Sequence, residues 1–195
     1  MIIANDQKWV ICTPPKTGTV SLQNCLVPKY AQKSVYRHEA SYTGRGVRIL
    51  VVRHPLERWA SLYWRKRQKA LGGKTDLWLG DVAHDIVKYT SQWISARSSN
   101  TNEMYTWNQV DFVNHFKPTY FFRLEDQSYK DLLKFIKVRE QLPHANKTGD
   151  KKGWVETSKL MTKAQMEFIV KWALADLTYF GYEGSISTRI KLVHV

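Results

Sequence analysis

Apolar and polar positions come in blocks along the chain, and the blocks have different periods. "KWVIC" (Lys8–Cys12) is a short, β-branched apolar run that predicts a buried strand. The polar stretch "TPPKTGTVSLQ" (Thr13–Gln23) follows it, and Gly18 to about Leu26 predicts a helix ended by Pro28. Ser34–Tyr36 suggests a short second strand, and "YTGRG" (Tyr42–Gly46) a turn. "VRILVV" (Val47–Val52) is the clearest strand, an apolar run of the kind found at the centre of a parallel sheet. The period then changes. Leu56, Trp59, Ala60 and Tyr63 recur at i, i+3, i+4, i+7, which predicts the buried stripe of a helix. Pro55 suits its first position and Gly72–Gly73 its end. Arg58, Ser61 and Arg65 share another face of it.

Further on, Asp81–Ala96 and Tyr129–Lys137 read as helices and "PTYFFRLED" (Pro118–Asp126) as a strand. Leu142–Trp154 reads as a basic loop, and Thr162–Tyr179 as a last helix capped by Thr162. Strands alternating with helices in this order predict an α/β fold, with a central, mostly parallel sheet flanked by helices. The expectation is a single P-loop-like domain over residues 1–195. Ligands of such sheets bind at the carboxyl ends of the strands. Three polar clusters follow strands: Thr13–Ser21, Arg53–Ser61 and Arg123–Asp126. They are expected to meet on one rim.

Composition narrows the picture. With 43% apolar and 13% aromatic residues, the chain is not of the disordered class. The net charge of +13 is unevenly spread. Residues 1–74 hold 14 Lys/Arg against 3 Asp/Glu, and the remainder holds 16 against 14. The excess therefore lies with the polar loop, and it favours an anionic ligand: nucleic acid, a polyphosphate nucleotide, an acidic glycan or a membrane surface. Cys12 and Cys25 sit in apolar contexts and read as buried thiols rather than as a disulfide framework. "MIIANDQKWV" lacks the basic start and long apolar run of a signal peptide. No stretch approaches the roughly 20 apolar residues of a membrane span. The expectation is a soluble, cytoplasmic protein. Its oligomeric state is left open.

The loop after the first strand reads as an anion site. A strand–loop–helix turn gathers backbone N–H groups at a helix N-terminus, where the dipole favours negative charge. Gly18 lets the backbone approach closely, with Pro15 upstream of it. Lys16 supplies a point charge. N–H groups of about Thr17 to Val20, and the hydroxyls of Thr17, Thr19 and Ser21, are the candidate donors. The register is not that of Walker A, whose lysine follows its second glycine; here Lys16 precedes Gly18. That weakens the reading as a nucleotide kinase. Arg53, at the end of "VRILVV", and Ser61 suit a second phosphate, Arg53 by bidentate bonds. Arg53 as an ion-pair partner of Glu125 or Asp126 is the structural alternative.

"TPPKTGTVSL" followed by "VVRHPLERWASLY" resembles the paired signature of sulfotransferases that use 3′-phosphoadenosine 5′-phosphosulfate (PAPS). "YRHEAS", "FFRLED", "PHANKT" and "DLTYFGYE" extend the likeness from about Lys8 to Glu183, closer to the carbohydrate-directed, Golgi-type branch than to the steroid and phenol branch. The resemblance implies that the first loop holds the 5′-phosphosulfate and that Arg53 and Ser61 hold the 3′-phosphate. It implies PAPS as co-substrate, 3′,5′-adenosine bisphosphate (PAP) as product and no metal. It implies a carbohydrate or other hydroxyl acceptor, which the charge excess would suit if anionic, and no nucleic acid. His38 matches the family's base, and Glu39 is the alternative. His54 is less suited and His144 lies in the basic loop. A segment near Lys147, Thr148, Lys151 and Lys152 closes over the nucleotide in the family. Arg123 and Glu125 either orient the site or form a structural ion pair. No anchor or stem of the Golgi kind is expected, a trimmed form that would suit a bacterial or viral enzyme. A basic module that binds nucleic acid or nucleotide without catalysis is the non-enzymatic alternative.

Overall fold

The computed structural model describes residues 1–27, 29–33, 42–73, 79, 81–99, 104–125, 128–139 and 153–183. The protein is mixed α/β and packs as two compact units, Met1–His54 with Gln109–Gly149, and Pro55–Asn108 with Asp150–Val195.

The first unit is built on a five-stranded sheet of β1 (Ile2–Ala4), β2 (Trp9–Cys12), β3 (Ala31–Lys33), β4 (Val47–Val52) and β5 (Tyr120–Arg123), in the order β3-β1-β2-β4-β5. β4 pairs in parallel with β2 and with β5, as an apolar run at the centre of a sheet should. β1 is antiparallel to both β2 and β3. The expected mostly parallel sheet is therefore a mixed one, because Ile2–Ala4 adds an antiparallel strand that the reading did not include. The second strand also differs: the described strand is Ala31–Lys33, and Ser34–Tyr36 lies outside the described residues.

Alternation along the strands buries both faces. Ile2, Ile11, Ile49 and Val51 join Leu22, Cys25 and Leu26 of helix α1 (Thr19–Leu26) in one core. Leu132, Leu133 and Ile136, along and just past helix α5 (Ser128–Phe135), complete it. Val10, Leu50 and Val52 point the other way and are equally buried. Helix α4 (Gln109–Phe116) packs against β4 and buries Phe112 and Phe116. Cys12 and Cys25 are reduced and buried, as expected.

The second unit is helical: α2 (Pro55–Leu71), α3 (Ile86–Ser98), α6 (Trp154–Ser158) and α7 (Lys163–Tyr179). The predicted stripe Leu56, Trp59, Ala60 and Tyr63 is buried. So are Arg58 and Ser61 of the second face, whereas Arg65 is exposed. Trp59 is the hub, with the rings of Tyr63, Tyr89, Trp93 and Trp154 at 6.1–6.3 Å. Burial pushes the Tyr63 and Tyr89 phenols above their ordinary pKa. Several polar tips in this core find partners, whereas the indole N–H groups of Trp59 and Trp93 and the Tyr89 hydroxyl find none among the described residues. Trp64 Nε1 donates to Thr157 Oγ1 at 2.8 Å, Trp172 Nε1 to the Thr106 carbonyl at 3.1 Å, and Arg58 Nη1 to the Trp107 carbonyl at 2.8 Å. Two helix starts show why capping outranks periodicity. Asp85 accepts N–H bonds from Val87 and Lys88, so α3 begins at Ile86 and not at Asp81. Thr162 and Gln165 form a capping box that opens α7. Among the described residues no helix is long and apolar enough to cross a membrane.

Candidate functional site

β2, β4 and β5 run in parallel, so their carboxyl ends open on the same edge of the sheet. The segments leaving them are Thr13–Gly18, Arg53–His54 and Leu124–Glu125. Within the first unit the expected convergence of polar clusters therefore holds for these three segments.

The loop after β2 is braced from inside. The Thr17 N–H and hydroxyl both donate to the Pro14 carbonyl, at 3.2 and 2.8 Å. The Thr19 hydroxyl donates to Thr13 Oγ1 at 3.0 Å. Thr17 is fully buried. In this structure both hydroxyls are used inside the loop, on acceptors of the loop itself. The loop leads into α1. Its first intrahelical bond runs from Leu22 N–H to the Gly18 carbonyl, so the N–H groups of Thr19, Val20 and Ser21 precede the ladder. The cap residue, Gly18, has no side chain to cover them, and no acid occupies the first turn. The terminus keeps its positive end.

Two left-handed residues shape the loop, Lys16 at φ 73° and Gly18 at φ 85°. Glycine adopts this region freely; lysine does not, at a cost of about 1–2 kcal/mol. At Gly18 there is a second constraint. A Cβ there would stand 2.8 Å from Leu124 Cδ1. Gly18→Ala is expected to lower stability by about 1–2 kcal/mol from backbone strain alone, read by urea denaturation.

Arg53 reaches this loop. Its Nη1 donates to the Lys16 carbonyl at 3.4 Å, which places a guanidinium against the backbone of the loop lysine. Lys16 and Arg53 are both half-buried. The exit of β4 is held by side chains from two other elements. The Arg53 N–H donates to Gln109 Oε1 at 2.8 Å, and Gln109 Nε2 donates to the Arg53 carbonyl at 2.7 Å. Glu125 Oε1 accepts the His54 N–H at 2.7 Å. Leu124 N–H continues the ladder to the Val52 carbonyl at 2.6 Å. Glu125 thus orients the β4 exit. Gln109 was not singled out by the sequence: a lone glutamine 56 positions away carries no motif.

Ser61 is buried on α2 of the second unit, and His54 is buried at the β4 exit. Val20 is exposed on the first turn of α1, Pro15 is buried and Ser21 half-buried. His38, Glu39, His144, Lys147, Thr148, Lys151 and Lys152 lie outside the described residues, as does Asp126. Chemically, the described arrangement can hold an anion. It combines a helix N-terminus, an ammonium and a guanidinium at the carboxyl edge of a sheet. Compared with known proteins, the chain matches no protein-family model, no curated protein and no solved structure.

Proposed function

We propose that the chain is a PAPS-dependent sulfotransferase with a P-loop-like donor site, which moves a sulfuryl group to a hydroxyl or amine of a carbohydrate or small-molecule acceptor. The observation that carries this reading is the Arg53 guanidinium on the Lys16 carbonyl, because it joins one residue from each half of the sequence signature. The donor set also fits the group: two cations and a helix N-terminus with no acid in its first turn suit a ligand with several anionic oxygens.

When bound, PAPS supplies the sulfuryl group, whose bond to the phosphate oxygen breaks as a bond to the acceptor oxygen forms. In-line transfer of this kind asks mainly for positioning and for stabilisation of charge. Lys16 would stabilise the charge left on the departing phosphate oxygen. The first N–H groups of α1 would hold phosphosulfate oxygens. Arg53 would bind the 3′-phosphate, with Ser61 assigned the same role by the sequence resemblance alone. The acceptor proton would pass to His38, or to Glu39.

PAP is expected to raise the thermal midpoint well beyond what ATP does at equal concentration, by mass action on the folded state. Equal shifts from both, or none, would sink the proposal. His38→Ala is expected to lower turnover by about 10²–10⁴-fold with PAP affinity unchanged. Full activity in that variant would move the base to Glu39.

A further inference from the structure

Gln109 occupies an unusual place for a polar side chain. It is fully buried at the first position of α4, and both ends of its amide bond to the backbone of Arg53. Its oxygen takes the Arg53 N–H at 2.8 Å and its nitrogen gives to the Arg53 carbonyl at 2.7 Å. This is the pairing a further strand would offer, supplied by a side chain at the point where β4 ends. A buried backbone pair left open is costly, so the glutamine fixes the φ and ψ of Arg53. A guanidinium sits at the end of a flexible stem, and the backbone sets where that stem begins. Here it is directed to the Lys16 carbonyl.

We infer that Gln109 is a positioning residue for the anion site: it sets the backbone of Arg53, whose guanidinium steadies the Lys16 loop and which the sulfotransferase reading assigns to a phosphate. The ligand class, an adenosine bisphosphate, rests on the sulfotransferase reading; the clamp itself does not. Gln109 touches no ligand in this scheme. It acts only through Arg53.

A double-mutant cycle tests it. Gln109→Leu is expected to weaken PAP binding on the order of tenfold by calorimetry. In an Arg53→Met background, where the backbone bonds to Gln109 persist, the same change should weaken PAP binding by less than about twofold. An equal loss in both backgrounds would make Gln109 a general structural residue and overturn the inference, as would no loss in either. If Gln109→Leu does not fold, Gln109→Glu replaces it. The carboxylate keeps the acceptor for the Arg53 N–H but loses the donor, and affinity should recover as the pH falls and the acid regains its proton. Recovery that persists in the Arg53→Met background would overturn the proposal. A second arm needs no ligand. Nitrogen relaxation of the Arg53 Nε–H should report a rigid group in the parent and a mobile one in the Gln109 variant; equal mobility overturns the clamp. If the parent fails to bind PAP, the sulfotransferase reading falls, and the relaxation arm still decides the role of Gln109.

Discussion

Sulfuryl transfer by Lys16→Ala is expected to fall by at least about 10²–10³-fold, the typical loss when one preorganised stabiliser of developing charge is removed. The reasoning starts from place. Lys16 stands in the loop between β2 and α1, its carbonyl held by Arg53 and its backbone left-handed. The ammonium is the point charge of the loop, while the α1 N–H groups are partial charges. Alanine keeps the same backbone strain and removes only a half-buried side chain, so the thermal midpoint should move little. Single-turnover assays with labelled PAPS, run beside PAP calorimetry, separate chemistry from binding. The expected pattern is a large loss of rate with a small loss of affinity. Lys16→Arg should recover only part of the rate, because a planar fork does not replace a compact ammonium. A fully active Lys16→Ala would remove the lysine from the mechanism.

The largest effect on stability is expected at Trp59. Its ring lies 6.1–6.3 Å from four other aromatic rings and is about 1% exposed. Trp59→Ala removes the hub of that cluster, and such truncations cost about 3–5 kcal/mol. That is a large share of the 5–15 kcal/mol that typically separates folded from unfolded protein. Trp59→Phe is the informative companion. The indole N–H of Trp59 finds no acceptor among the described residues, so phenylalanine gives up ring area and no hydrogen bond. Its cost should stay below that of Trp59→Ala, because the phenyl ring leaves the smaller cavity. Urea denaturation followed by far-UV circular dichroism measures both. Similar costs for the two variants would mean that the hub is not held by packing.

The parts of the fold that were readable are those in which one signal dominates. Val47–Val52 is an uninterrupted strand, and α2 runs from its proline to its glycines with a clean apolar stripe. The missed elements are short and depend on partners. Ile2–Ala4 becomes a strand only because β2 and β3 lie on either side of it. Ala31–Lys33 has no apolar pattern of its own. Gln109–Phe116 is a short helix that begins with a buried glutamine and includes two valines, weak helix formers. Trp154–Ser158 is barely more than one turn. The site divides the same way. Lys16, Gly18 and Arg53 were visible through the spacing of residues around strand ends. The inward use of Thr17 and Thr19 was not, since hydroxyl residues in a loop look alike whether they face a ligand or the loop's own carbonyls. Gln109 acts across the fold on the backbone of Arg53, and such a bond leaves no local pattern.

The left-handed backbone at Lys16 carries a consequence for anyone who selects this protein for durability. Glycine is the residue that such a position favours, and a screen scored on heat resistance alone would be drawn to Lys16→Gly. The same change would discard the ammonium of the loop. On the sulfotransferase reading, endurance and turnover pull in opposite directions at a single codon, and a library enriched for survival at high temperature should contain folded but inactive members altered there.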